Sequence, residues 1–387
     1  MAPINGNCDE RFNSVKALLQ GFLEAGDELG VSLAVNLDGE DVVDLFGGYS
    51  DTDKRQPWER DTIVNVFSTT KALASLAVLT LVSRGQISVN DKVSKHWPEF
   101  SVNGKEDIEV RHLLSHTSGV AGFDEPMKLE DLYDEQGCVE KLEKQAPWWS
   151  PGTASGYHSW SFGYLLGELV RRVTGLRMKE FIEREITQPL KADFQLGARE
   201  SDWHRISTLI PPPPFDFPSP PPESITAKAL MNPTMQAEDA LTPGWRGAAI
   251  ASGNGHGNAR SIVRIFSEVT LAGKATKSGR EPLLSGEIPD VVCQEQSSGM
   301  DLTIGMPWRF GVGYAIRGQS NETVLDNWLP PGRICVWGGW GGSLVIMDLD
   351  RGLTIGYAMN KMIGEGPSTR LTRQYVKAIY EALGVQI

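Results

Sequence analysis

The sequence has few cysteines for its 387 residues, and none of them form a recognisable pair. The four lie far apart along the chain, without a C-x-x-C spacing: Cys8, Cys138, Cys293 and Cys335. This distribution argues against both a zinc site and a disulfide framework. We therefore expect no metal and a reduced intracellular setting.

Long apolar runs and clusters of basic residues are also missing. No stretch approaches the roughly 20 apolar residues that are needed to span a bilayer. The N-terminal stretch Met-Ala-Pro-Ile-Asn lacks the charged and then apolar order of a secretion signal. The net charge is −12, which disfavours nucleic acid and anionic membrane as partners. We expect a cytoplasmic protein that binds neither of them.

Several common catalytic and cofactor motifs are absent. There is no G-x-S-x-G, so an α/β-hydrolase is not supported. His112 and His116 are four residues apart, but Leu113 stands where a metalloprotease helix has glutamate. We expect His116 to hydrogen-bond within its own turn. The glycine-rich stretch 253–258 follows no clear strand, which argues against a dinucleotide or phosphate loop. We expect no cofactor.

A serine followed three positions later by a lysine opens an apolar, alanine-rich run, Ser68-Thr-Thr-Lys71. If the run is helical, Ser68 lies in the first turn and Lys71 is on the same face. The free N–H groups and the dipole of a helix N-terminus favour negative charge that develops on a hydroxyl. A desolvated lysine amine within reach could take the hydroxyl proton. The alternative is a capped core helix with a surface lysine.

The remaining pattern predicts strands at both ends of the chain and a helical middle. Predicted strands are 31–37, 42–48, 310–316, 334–337, 343–348 and 353–359, and predicted helices are 9–26, 68–84, 109–115, 129–145, 160–174, 259–271 and 367–383. The simplest architecture is α+β, with one antiparallel sheet built from both termini and flanked by helices. We predict a sheet domain from 1–90 plus 260–387 and an inserted, mainly helical domain at 91–259.

Prolines occupy eight of the twelve positions from 211 to 222. Proline lacks an N–H and has a fixed φ, so neither a helix nor a central strand fits there. The segment is predicted to be a polyproline II crossing or a mobile loop, and the alternative is a linker between domains.

Two further stretches add candidate catalytic groups. Tyr157 lies in a glycine-flanked turn before an amphipathic helix, and a phenolate beside a lysine ammonium would be stabilised as a general base. The alternative is a tyrosine that only packs its ring and bonds its hydroxyl. Trp337-Gly-Gly-Trp-Gly-Gly-Ser343 leads into an apolar strand. Such a strand could offer a backbone N–H as an oxyanion donor beside that of Ser68, and the alternative is a bulge or sharp turn.

Four motifs occur in the order that is found in the serine β-lactamase-like superfamily. They are Ser68-Thr-Thr-Lys71, Leu113-Leu-Ser-His-Thr-Ser-Gly119, Pro151-Gly-Thr with Tyr157-His-Ser159, and Trp337-Gly-Gly with Gly341-Gly-Ser343. From about residue 10 to 385 the chain resembles this superfamily. It is most similar to the class C-like esterases, called family VIII carboxylesterases, and to the lovastatin-type fungal acyltransferase.

This resemblance implies a β-lactamase/transpeptidase-like fold and a site without cofactor. It implies a nucleophilic Ser68, an acid/base pair of Lys71 and Tyr157, and an oxyanion hole formed by the backbone N–H groups of Ser68 and Trp340. Trp337 stands where β-lactamases carry lysine and many esterase relatives carry histidine, so a β-lactam carboxylate is disfavoured. Ser159 replaces an asparagine that would hold an acyl-amide side chain. Both departures favour ester chemistry.

Three functions follow as hypotheses. The first is a serine hydrolase of carboxylic esters or lactones with apolar groups. The second is an acyltransferase of secondary metabolism, or a ring-opening enzyme, with an alcohol acceptor and a thioester or ester donor. The third is a non-catalytic binding protein on the same fold. The predicted substrate-binding residues surround the motifs: Trp149, His158, Ser159, Trp160, Trp337, Gly338 and Gly339.

Overall fold

A large antiparallel sheet combines strands from both ends of the chain. The computed structural model describes residues 3–213, 220–275, 279–318, 322–366 and 368–387. The strands are β1 (Asn5–Cys8), β2 (Gly30–Leu37), β3 (Glu40–Gly48), β4 (Val64–Asn65), β5 (Gln195–Leu196), β6 (Gly255–Gly257), β7 (Ser297–Met300), β8 (Pro307–Phe310), β9 (Ala315–Ile316), β10 (Ile334–Gly338), β11 (Leu344–Asp348) and β12 (Leu353–Met359). Nine of them pair in the order β1-β3-β2-β12-β11-β10-β9-β8-β7, and three form a small sheet, β4-β6-β5.

Helices fill the middle of the chain and cover the sheet. They are α1 (Asn13–Ala25), α2 (Thr69–Ser83), α3 (Val93–His96), α4 (Val110–Leu114), α5 (Glu135–Lys144), α6 (Ser161–Thr174), α7 (Met178–Phe181), α8 (Gln188–Leu190), α9 (Ile225–Leu230), α10 (Pro243–Gly247), α11 (Ala259–Thr270), α12 (Ile288–Cys293) and α13 (Arg370–Ala382). Within the described ranges, no helix has the length and apolarity that a membrane span needs.

The strand β12 separates two layers of helices. A Cβ at Gly356 would lie 2.8 Å from the Ala259 carbonyl oxygen of α11, so glycine permits this close packing. Side chains alternate along a strand, and the next residue, Tyr357, packs on Tyr375 of α13 with ring centroids 5.6 Å apart. The predicted α+β architecture, with an antiparallel sheet from both chain ends and flanking helices, is confirmed.

Helix α2 lies at the centre of the molecule. Every residue from Thr69 to Leu81 is buried, because α2 is enclosed between β10 on one side and α6 on the other. A helix that is apolar around its whole circumference is stable only in such a position. The residue that precedes it, Ser68, is thereby held at the junction of the sheet and the helical region.

Two predicted elements are divided in the structure. The predicted strand 310–316 is wrong in its middle, because Gly313 takes a φ of 92° and the Gly311 N–H bonds to the Tyr314 carbonyl in a turn. The predicted helix 129–145 breaks at Asp134, whose carboxylate caps α5 by accepting from the Gly137 N–H. Part of the proline-rich segment, residues 214–219, lies outside the described residues. The domain boundaries stay a prediction, and the small sheet joins strands from both predicted domains.

A buried carboxyl group lies between the sheet and α13. Glu28 is 2% exposed and accepts hydrogen bonds from the Tyr357 hydroxyl at 2.6 Å and the Tyr375 hydroxyl at 3.4 Å. Burial raises the pKa of Glu28 from 4.5 to about 7, although both hydroxyl groups oppose the shift. The folded protein therefore holds a proton there that the unfolded chain releases at lower pH.

We expect Glu28→Gln to flatten the dependence of stability on pH. The folded state binds more protons than the unfolded state between about pH 4.5 and 7, so the free energy of unfolding falls as pH rises through this interval. Between pH 5 and 8 the wild type should lose about 2 to 3 kcal/mol more than the variant. Urea unfolding at both pH values measures the difference. Glu24→Gln, on the exposed face of α1, is the control, and parallel slopes for Glu28→Gln and wild type would contradict the prediction.

Candidate active site

Ser68 occupies the N-terminus of α2, directly after a residue in a left-handed conformation. Phe67 has a φ of 42°, which is uncommon for a residue with a side chain. The Ser68 Oγ accepts hydrogen bonds from Lys71 Nζ at 3.2 Å and from the Tyr157 hydroxyl at 2.8 Å. The three residues with predicted chemical roles therefore meet at one oxygen atom.

Lys71 is enclosed by protein but has no described carboxylate as an ion-pair partner. It is 1% exposed, and its Nζ also donates to the Ser252 carbonyl oxygen at 2.8 Å. Burial lowers the pKa of the Lys71 ammonium well below its usual value. A neutral amine has a lone pair, so at this position Lys71 can accept a proton from the Ser68 hydroxyl.

Tyr157 presents its hydroxyl to Ser68 and is fixed through its backbone. Its ring lies 4.9 Å from Lys71 Nζ, and its N–H donates to Asp301 Oδ1 at 3.0 Å. Burial raises the pKa of the Tyr157 phenol well above its usual value. The same desolvation thus favours a neutral phenol and a neutral amine, rather than the phenolate beside an ammonium that the sequence suggested.

The glycine-rich turn between β10 and β11 is attached to the start of α2. The Ser343 hydroxyl donates to the Val66 carbonyl oxygen at 2.8 Å and lies 3.0 Å from Thr69 Oγ1. A Cβ at Gly339 would lie 2.1 Å from the same Val66 oxygen, so only glycine fits this approach. The next residue, Trp340, contacts the ring of Phe67 at a centroid distance of 5.2 Å.

Ser68 and Trp340 both line the same cavity. Neither the Ser68 N–H nor the Trp340 N–H donates a hydrogen bond to another described residue. Free N–H groups next to a serine oxygen are the arrangement that stabilises an oxyanion during acyl transfer. The assignment of these two amides stays a prediction.

An apolar cavity of about 540 Å³ opens beside Ser68. Of the predicted substrate-binding residues, Ser159, Trp160, Trp337, Gly338 and Gly339 line it. Among the described lining residues, Lys71 is the only lysine, arginine, histidine, aspartate or glutamate. A cavity of this volume holds a drug-sized ligand, and its walls favour a neutral, apolar one.

Trp149 and His158 lie behind the cavity wall instead of in its lining. The His158 ring bonds to the Ser118 hydroxyl and to the Gly156 carbonyl oxygen, each at 2.6 Å. The Trp149 ring covers Gly156, where a Cβ would lie 2.4 Å from it. Both side chains therefore support the turn that carries Tyr157, and their predicted contact with substrate stays a prediction.

His116 has a different role from the predicted local hydrogen bond. Its Nδ1 accepts from the His158 N–H at 3.1 Å. Its ring is stacked between Phe162 and Trp337 with centroid distances of 4.6 and 5.3 Å. Burial lowers the pKa of the His116 imidazole well below its usual value. A neutral, buried His116 therefore supports the aromatic wall to which Trp337 belongs.

Several residues of the site escaped sequence reasoning. Ser252, whose carbonyl oxygen accepts from Lys71, directly precedes the glycine-rich stretch 253–258, and its own sequence context carries no catalytic motif. Asp301 holds the Tyr157 backbone from 144 residues away, and no local pattern indicates that pairing. Other lining residues carry ordinary core side chains, among them Phe67, Leu230, Met235, Ile304, Trp308 and Phe310.

The comparisons with known proteins agree with this fold. The solved structure of a family VIII carboxylesterase has a TM-score of 0.89 and 31% sequence identity, and the match covers 98% of this chain and 100% of that one. A penicillin-binding protein homologue from Caulobacter crescentus gives the same values. "Esterase/beta-lactamase LipL" of Mycobacterium tuberculosis is 27% identical over 380 residues, which cover 92% of this chain and 83% of LipL.

A profile of the Beta-lactamase family matches residues 15–378, which is nearly the whole chain. The matched region contains Ser68, Lys71, Tyr157 and the glycine-rich turn that ends at Ser343. The superfamily to which the motifs pointed is thus confirmed. The chain belongs to the Beta-lactamase family.

Proposed function

We propose that the protein is a serine hydrolase of neutral carboxylic esters or lactones with apolar groups. The observation that carries the proposal is the Ser68 Oγ, which contacts both Lys71 Nζ and the Tyr157 hydroxyl at the edge of an apolar cavity. The relatives that are named as esterases support it. The proposed catalytic residues are Ser68, Lys71 and Tyr157, with the Ser68 and Trp340 N–H groups as the oxyanion hole.

The proposed reaction begins with the neutral amine of Lys71. Lys71 takes the Ser68 proton as Oγ attacks the ester carbonyl carbon, and the two amides stabilise the resulting oxyanion. Tyr157 donates its phenol proton to the leaving alkoxide as the carbon–oxygen bond breaks. Proton return from the Lys71 ammonium to the phenolate restores both neutral forms beside the acyl-enzyme.

Deacylation repeats these steps with water as the nucleophile. Lys71 accepts the proton of the attacking water, and Ser68 leaves with a proton from Tyr157, so the acid is released and the enzyme regenerated. An alcohol in place of water would make the enzyme an acyltransferase. The apolar walls favour an apolar alcohol as that acceptor, which is why acyl transfer is the second candidate activity.

The walls of the cavity support a neutral substrate over a β-lactam. Trp337 takes the place of a cation and is 6% exposed, held by its stacking on His116. A carboxylate would be desolvated in this cavity, and the neutral amine of Lys71 would offer it no positive charge. Burying an unpaired charge is unfavourable by several kcal/mol, so an ester without charge is the better ligand.

We expect a fluorophosphonate probe to form one covalent adduct, on Ser68. The serine oxygen displaces fluoride from phosphorus with release of HF, so intact-mass spectrometry should detect a gain of one probe mass minus HF, and peptide mapping should place it on Ser68. Unfolded protein is the control, because it lacks the Lys71 and Tyr157 contacts. Absence of labelling in the folded protein would favour the non-catalytic alternative. Unlabelled protein given p-nitrophenyl acetate in aqueous butanol separates transfer from hydrolysis, since butyl acetate assigns transfer and free acid alone assigns hydrolysis.

A further inference from the structure

Exposed apolar side chains concentrate around the mouth of the cavity. Seven large hydrophobic side chains are exposed among the described residues: Val102, Leu230, Met231, Met300, Leu302, Met306 and Ile387. Five of these belong to two short segments, 230–231 and 300–306. Both segments reach the cavity lining, through Leu230 and Ile304. Clustered apolar surface of this kind marks a binding surface rather than ordinary protein exterior.

The loop 300–306 joins β7 to β8 and has a fixed backbone. Asp301 is 1% exposed, and its Oδ1 accepts from the N–H groups of Thr303 at 3.0 Å and Ile304 at 2.9 Å. The Leu302 N–H bonds to the Ser155 carbonyl oxygen at 2.9 Å. The exposed side chains of Leu302 and Met306 therefore project from an ordered backbone.

The same loop is attached to Tyr157. Asp301 Oδ1, which organises the loop, also accepts from the Tyr157 N–H at 3.0 Å. In the proposed reaction Tyr157 gives its proton to the leaving alcohol oxygen, so the alcohol portion of an ester lies on this side of Ser68. The loop that carries exposed apolar side chains is thus bonded to the residue that, in the proposed reaction, protonates the leaving alcohol.

We propose that loop 300–306 binds the alcohol portion of the substrate, and that this portion is a large apolar group which extends out of the cavity. The inference rests on the proposed function and adds the substrate class, a neutral ester of a long-chain or polycyclic alcohol. Methionine side chains adapt to irregular apolar shapes, which suits Met306 to such a contact. The negative net charge of the chain disfavours a negatively charged alcohol.

The test compares short and long alcohol groups in the variant Leu302→Gln/Met306→Gln. Ethyl acetate, octyl acetate and ethyl octanoate are assayed below their solubility limits. We expect kcat/KM for octyl acetate to fall about 10-fold, as the loss of roughly 50 Å² of apolar contact predicts, with the change mainly in KM. Ethyl acetate and ethyl octanoate should stay within about twofold. Val102→Gln, an equally exposed position that belongs to neither of the two apolar segments, is the matched control.

Three outcomes of the ester comparison would overturn the inference. They are unchanged selectivity for octyl over ethyl acetate, equal losses for all three esters, and a loss confined to ethyl octanoate, which would assign the loop to the acyl side. A rate that rises only above the solubility limit would indicate a lipid surface as the occupant and would also overturn it. Failure of the proposed function is distinct, because ester turnover would then persist in Ser68→Ala.

Discussion

Ser68→Ala is expected to lower kcat/KM for p-nitrophenyl butyrate by about 10⁴ to 10⁶-fold, since removal of a serine nucleophile has effects of this size. The substitution deletes the oxygen that accepts from Lys71 and Tyr157 and leaves no other hydroxyl at that point. Ser68 is the first residue before α2, so the helix itself should persist. Steady-state kinetics together with circular dichroism measure both properties.

Ser75→Ala provides the matched control for this loss. Ser75 lies in the same helix, is fully buried, and its Oγ has no described hydrogen-bond partner. Its replacement should leave kcat/KM within about threefold, since no site contact is removed. Comparable activity in Ser68→Ala and wild type would refute both the nucleophile and the proposed function.

Lys71→Met and Lys71→Arg are expected to lower kcat about 10³ to 10⁴-fold, near the upper end of the range for general base catalysis. Methionine removes the amine, whereas arginine keeps a cation but stays protonated. If Lys71 acted only as a positive charge, Arg would retain much of the activity. In the wild type, kcat/KM should fall as pH decreases through the lowered pKa of Lys71, because protonation removes the lone pair.

Lys105→Met is the matched control for a buried lysine. Lys105 Nζ donates to the carbonyl oxygens of Val102, Glu143 and Gln145, all outside the cavity lining. Its loss should reduce the melting temperature but not the turnover of each folded molecule. A Lys105→Met enzyme as inactive as Lys71→Met would mean that the loss reflects folding instead of catalysis.

Short-range patterns in the sequence predicted the parts of the site that are local. Ser68 and Lys71 are one turn apart, so the period of a helix was sufficient to place them together. The alternation of apolar residues was sufficient to predict the central strands. The order of four motifs predicted the family. The position of His116 and the role of Asp301 depend instead on contacts across 42 and 144 residues.

Such distant contacts leave no signal in a local window of sequence. The residues next to His116 in the sequence are the same whether it bonds within its turn or stacks on Trp337, so they do not distinguish the two arrangements. The same applies to His158, whose neighbours Tyr157 and Ser159 line the cavity while its own ring bonds to Ser118 and Gly156. At Gly313 the apolar run predicted a continuous strand, but the glycine adopts a positive φ and interrupts it.

The bond between Ser343 and Val66 spans 277 residues, and β2 pairs with β12 across a similar length of chain. Contacts of this range form late, because a long loop must close before they are made. A growing polypeptide that already contains Ser68, Lys71 and Tyr157 therefore still lacks the turn that would supply the Trp340 N–H. On the ribosome, this part of the proposed site would therefore form only after β10 and β11 have emerged.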